Sequence, residues 1–145
     1  MSAPDPASTD ALHMGGWARA MGLEFVTLSP DEVVVELSVR DEHLQPHGIV
    51  HGGVHCGIVE TVCSVGAAIN AAAAGQIVVG VENHTSFVRA VRGGRLRCVG
   101  RPLQKGRRAH LWEASITGAD GKLVATGRVR LFCLEAGSRP GAGAG

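Results

Sequence analysis

The 145-residue chain has no tyrosine and only five aromatic residues, Trp17, Phe25, Phe87, Trp112 and Phe132. So few rings offer no platform for stacking successive bases, which argues against RNA or single-stranded DNA as a ligand. An excess of charge of one sign is missing too. Fourteen basic residues stand against 13 acidic ones, for a net charge of +1, so no global field draws the protein to nucleic acid or to an anionic membrane. No Cys-x-x-Cys pair occurs, and Cys56, Cys63, Cys98 and Cys133 stand singly in apolar segments. They read as reduced core residues, because a free cysteine packs as a small hydrophobe. The first nine residues contain neither a basic region nor an apolar run, so a secretory leader is not expected and a cytoplasmic location is.

What is present is apolar content, at 45% of residues, enough for one core and one domain. That domain is expected over 10–135, between a proline-bearing lead (1–9) and a Gly/Ala/Pro tail (136–145) that have no apolar face to bury and are expected to be disordered. The spacing of Leu12, Trp17, Ala20 and Met21 suggests a short helix over 10–21. Val33, Val35, Leu37 and Val39 alternate with polar partners, so strands over 23–28 and 32–39 form a hairpin around Ser29-Pro30-Asp31. A long helix is expected over 53–73, stopping at Gly75, with Val54, Ile58, Val62, Val65 and Ile69 as its core stripe. Gly57, Gly66 and the alanines would let it lie close to a sheet. Strands follow over 77–91, 95–104, 108–117 and 122–135. The order suits an α+β fold in which a curved antiparallel sheet wraps one helix. The apolar window 61–81 approaches the length of a membrane span, but Ser64, Asn70, Gln76 and Gly75 interrupt it, which favours the wrapped helix.

The segment Gln45-Pro46-His47-Gly48-Ile49-Val50-His51-Gly52-Gly53 feeds that helix. Gly52 and Gly53 would place N–H groups at a helix N-terminus, where the macrodipole favours negative charge, and neither carries a Cβ to keep a ligand carbonyl away. Two turns on stands Glu60, the only acid between Glu42 and Glu82, with Ser64 one turn later on the same face. Gly52 and Glu60 lie roughly 12 Å apart along one helix, too far to act on one carbonyl. Two chains antiparallel about a two-fold axis could bring them together, so a homodimer with two composite sites is expected. The competing account of Glu60 is a structural acid, exposed or paired with an arginine. The functional account has a carboxylate, desolvated in a pocket lined by Val59, Cys63 and partner-chain residues, serving as base or nucleophile near neutral pH.

Histidines at 43, 47, 51 and 55 recur every four residues, a period that could line a helix face with metal ligands. Pro46, Gly48, Gly52 and Gly53 break that helix, and no cysteine or acid completes a zinc pattern, so no metal is expected. His51 is expected to fix the loop through backbone hydrogen bonds or to line the pocket. Cys63 reads as core, since the helix start that would activate it is distant.

His51-Gly52-Gly53 followed by Glu60, then Asn83-His84-Thr85-Ser86-Phe87-Val88-Arg89 and the Asp120–Gly127 stretch, resembles the hotdog-fold acyl-CoA thioesterases of the phenylacetate-pathway and 4-hydroxybenzoyl-CoA type. The resemblance runs from about Gly15 to Glu135. It implies hydrolysis of an aryl or medium-chain acyl-CoA to the free acid and CoA, without metal or redox cofactor, by a homodimer that pairs into a homotetramer. It implies Glu60 as base or nucleophile, the glycine N–H as oxyanion donor and Gln45 as a loop amide orienting thioester or water. Ser64 would position water where aryl-CoA enzymes of this type carry threonine. Arg89 would contact a CoA phosphate, and Arg107 and Arg108, in Lys105-Gly106-Arg107-Arg108, are further phosphate candidates unless they form a solvated turn. Arg92 and Arg95 read as solubilising a turn. Two other hotdog activities fit the same fold: a dehydratase or hydratase acting on the acyl chain, and a module that binds acyl-CoA without turnover.

Overall fold

The computed structural model describes residues 15–138, so the lead at 1–9, the start of the first helix at 10–14 and the tail at 139–145 lie outside the described residues. A short helix, α1 (Gly16–Met21), leads into the hairpin β1 (Glu24–Leu28) and β2 (Val33–Ser38). A 3-10 turn (Asp41–His43) and the glycine loop then deliver the chain to α2 (Gly52–Ala73), followed by β3 (Gln76–Phe87), β4 (Arg95–Lys105), β5 (Ala109–Thr117) and β6 (Leu123–Glu135). All six strands form one sheet in the order β1-β2-β4-β5-β6-β3, every neighbouring pair antiparallel. The tail expected from 136 starts with a turn closed by the Ser138 N–H donating to the Glu135 carbonyl (3.0 Å), and the Ala136 N–H donates to the Gly75 carbonyl (3.1 Å).

The sheet's inner face and α2 share one core, with Ile58, Val59, Val62 and Cys63 of the helix packed among Leu37, Leu96, Trp112, Ile116, Val129 and Leu131. The helix stripe departs from the expected one. Beyond Val62 it continues through Gly66, Ala67 and Ala71, while Val65 and Ile69 are only half-buried. Trp112 is the reason: its ring lies where a Cβ on Gly66 would sit, so a large side chain from the sheet fills the space that large helix residues would otherwise take. Gly57 does not face the sheet but receives the indole of Trp17 from α1. The window 61–81 divides between α2 and β3, with Gly75 at φ +68° in the left-handed region that ends the helix. Although α2 is long and apolar enough to cross a membrane, the sheet surrounds its buried face.

Candidate active site at the glycine turn and Glu60

The loop before α2 is held tightly. Gly48 adopts φ +72°, the Gln45 N–H donates to the Ile49 carbonyl (2.9 Å), and Leu44 and Val50 form an antiparallel bridge. His43 is fully buried, with its Nε2 at 2.9 Å from the Met21 carbonyl and its Nδ1 accepting from the Arg40 N–H (2.9 Å). Arg92, expected only to solubilise a turn, braces this loop by donating to the His47 carbonyl (2.9 Å). Arg95 likewise has a structural task, bridging Glu24 and Glu36.

His51 is the N-cap of α2, and its Nδ1 accepts the Gly53 N–H at 2.8 Å. That bond satisfies one orphan donor of the helix start. It also corrects the expectation for Gly53, whose N–H is engaged and cannot serve an oxyanion. The Gly52 N–H makes no hydrogen bond among the described residues and borders a cleft of about 270 Å³ lined by Gln45, Gly52, His55, Phe87 and Arg89, among others. The Gln45 amide oxygen accepts the His47 N–H, which leaves its NH2 group for the cleft. A Cβ at Gly52 would strike the Phe87 ring, so glycine lets that ring close over the helix start. His55 is buried, with its Nδ1 lacking a partner among the described residues and its ring 5.9 Å from that of Phe87. Burial holds its imidazole below the ordinary histidine range, so it is neutral at physiological pH.

Glu60 and Ser64 do not line that cleft. They face β3 instead, where the Ser64 hydroxyl donates to Glu60 Oε1 (3.1 Å) and the Asn83 amide donates to Glu60 Oε2 (3.0 Å). Among the described residues no basic side chain pairs with Glu60, so the arginine-paired structural account does not apply. The expected pocket walls are corrected: Val59 and Cys63 are completely buried core residues. Burial pushes the Cys63 thiol far above its ordinary range, which makes it a poor nucleophile. All four cysteines are free, although Cys56 and Cys133 are only half-buried.

Arg89 reaches the cleft, yet its guanidinium forms a two-pronged pair with Asp120 (2.9 and 2.8 Å), which holds the Asp120 carboxyl below the usual range. Arg107 and Arg108 lie at the opposite end of the molecule, in the β4–β5 turn; the Gln76 side chain donates to the Arg107 carbonyl (3.3 Å) and the Arg108 carbonyl accepts from Cys133 (2.9 Å). The four histidines of the periodic run have separate surroundings, and among the described residues no group of three or more His, Cys, Asp or Glu could hold a metal.

The sequence alone assigns Gly80, Asn83 and Thr85 no role around Glu60, and His55 and Phe87 none at the cleft. The missing signal is tertiary: strand residues reveal their partners only once β3 is laid against α2.

The thioesterase superfamily matches residues 47–125, which span the loop, α2 and the strands up to the start of β6. The chain is 43% identical to the Mycobacterium tuberculosis protein Rv1847 over 136 residues, covering 92% of this chain and 97% of that one. The solved structure of that relative superposes with a TM-score of 0.82 at 41% identity, over 84% of this chain and 98% of the other. The 1,4-dihydroxy-2-naphthoyl-CoA hydrolase of Escherichia coli is 30% identical over 86% of this chain and 91% of its own length. The proofreading thioesterase EntH of Cronobacter turicensis is 32% identical over 83% and 87%. With its six-stranded curved sheet around one helix, the chain belongs to the thioesterase superfamily and is a hotdog-fold enzyme that hydrolyses thioesters.

Proposed function

We propose that the enzyme hydrolyses an aryl or medium-chain acyl-CoA to the free acid and CoA, at two composite sites of a homodimer. The observation that carries this is the separation of the two halves within one chain: the Gly52 cleft excludes Glu60, and Glu60 with Ser64 faces the open edge of β3. Antiparallel pairing of two β3 edges about a two-fold axis would set α2 beside the partner's α2 in the opposite direction and present the partner's Glu60 to the Gly52 cleft. The same pairing would carry the partner's Arg107 and the partner's Arg108 toward the Arg89 end, where the CoA phosphates would lie.

In this scheme the thioester carbonyl takes the free Gly52 N–H, reinforced by the helix dipole, and the Gln45 amide orients it. Glu60 either removes a proton from a water held by Ser64 or attacks the carbonyl itself. In both routes the carbonyl becomes tetrahedral, the C–S bond breaks, and CoA leaves as a thiol once protonated. Attack by water gives the acid directly, whereas direct attack leaves the acyl group on Glu60 as an anhydride that a water then cleaves to the acid and the free carboxylate. Of the relatives, the Escherichia coli hydrolase supports a CoA thioester by its name. Thiol release from a panel of aryl- and alkyl-CoA thioesters tests the proposal. Wild type should turn over at least one, and Glu60→Gln should lose about a hundredfold or more of kcat while keeping its oligomeric state. Binding of every thioester without thiol release would refute it.

A further inference from the structure

β3 carries an irregularity opposite Glu60. Gly80 pairs with Leu131 and Asn83 with Val129, so three steps along β3 match two along β6, and Val81 is the extra residue of a β-bulge. Regular alternation would put Gly80 and Asn83 on opposite faces. The bulge puts both on the inner face, since Leu131 and Val129 are both core residues with 0% exposure. Bulges re-aim side chains in this way beside active sites. The two residues it aligns are complementary to the Glu60 carboxylate. A Cβ on Gly80 would collide with Glu60 Oε1, so only glycine leaves that space. Asn83 donates from Nδ2 to Glu60 Oε2 (3.0 Å) and to the Cys56 carbonyl (3.1 Å), while its Oδ1 accepts the Thr85 hydroxyl (2.7 Å). Its amide has one satisfactory orientation, because a flip would put Oδ1 against two acceptors.

We infer that the bulged segment Gly80–Thr85 is a positioning device for Glu60, in which Asn83, oriented by Thr85, fixes the carboxylate from the side opposite Ser64. The inference rests on the proposed catalytic role of Glu60. With one donor on each oxygen, the side chain loses the rotamer freedom that an acid on a helix surface ordinarily keeps, so the carboxylate is held in one position for its proposed reaction. Asn83 touches neither, so its removal should lower the rate of the chemical step without weakening substrate binding.

Steady-state kinetics on the intact dimer test this. Asn83→Ala should lower kcat by roughly ten- to a hundredfold, the loss expected for one hydrogen bond to a charged group, with KM within about twofold. Thr85→Val, which keeps the shape but drops the hydroxyl, should lower kcat by about three- to tenfold, and Thr85→Ser should restore it to within about twofold of wild type. Wild-type kcat in Asn83→Ala, or equal losses in Thr85→Val and Thr85→Ser, would overturn the inference while Glu60→Gln remains inactive. Should Glu60→Gln itself turn over normally, the carboxylate proposal falls, and the positioning role falls with it.

Discussion

The two edges of the sheet differ in length and in how much apolar surface they leave exposed. β1 is five residues long, has a bulge between Phe25 and Thr27, and carries Glu24 in an ion pair with Arg95 (2.7 Å). Of the means by which proteins keep an edge from pairing, a bulge and an ion pair occur on both edges (β3 has the Val81 bulge and the pair Glu82–Arg130, 3.5 Å), so short length is what sets β1 apart. β3 is twelve residues long and, with the residue after it, leaves Val81, Phe87 and Val88 about half exposed (47%, 56% and 56%). It also carries the side chains that hold Glu60. A short edge far from the proposed site and a long edge with exposed apolar residues beside it support the proposal that β3 is completed by another chain, and that completing it completes the site.

The largest contrast should come from placing the same charge on each edge. Val81→Lys should break the dimer and remove about a hundredfold or more of kcat/KM, whereas Val26→Lys on β1, a 52% exposed position, should leave sedimentation and turnover near wild type and stability within about 0.5 kcal/mol. Loss of the dimer in both would erase the distinction between edges. Next in size, Trp112→Ala removes the fully buried ring over Gly66 and should cost about 3–5 kcal/mol in denaturant unfolding. Such a loss serves both edges equally, so specific activity of the folded fraction should change less than in Val81→Lys.

A smaller effect is pH-dependent. Burial lowers the folded-state pKa of His55 and of His110, where Lys105 contributes as well. Below a pH of about 6.5 the unfolded chain takes up protons that the folded chain refuses, so stability should fall as pH drops through that range and hold above it. His55→Leu should flatten the fall, whereas Glu36 and Asp120, whose carboxyls are held low by their arginines, should act only below about pH 4.5. An unchanged slope in His55→Leu would show that its burial does not govern this window.

The contrast between the edges also marks what the sequence could reveal. Alternation in Val33, Val35 and Leu37 and the smooth apolar run after Gly52 made the hairpin, the long helix and the wrapped sheet legible, because each depends on local period. The lone acid among apolar residues marked Glu60, and the helix start marked Gly52. The sequence marks His51 as a residue that fixes the loop through backbone hydrogen bonds, but not that the N–H it captures is that of Gly53, because imidazole is not among the usual N-cap groups. Asn83 stands out only within the stretch that carries the resemblance, and its contact with Glu60 was not legible because a one-residue bulge decides which strand residues share its face. Trp112 displaced the helix stripe because its partner glycine is 46 positions away in a different element.

The composite site is tested most directly by mixing two defects. Gly52→Pro removes the free N–H at the first helical position; the backbone accepts proline there, since the preceding His51 is already extended (ψ 135°), although its Cβ must also push the Phe87 ring aside, so the variant disables the cleft half of the site. Glu60→Gln removes the acid. Each variant alone should be inactive. Co-expressed, they should form mixed dimers in which one site carries both defects and the other neither, restoring about a quarter of wild-type activity at statistical assortment. If mixed dimers form and activity stays at the level of the parent variants, each chain carries its own complete site and the two-chain account is wrong.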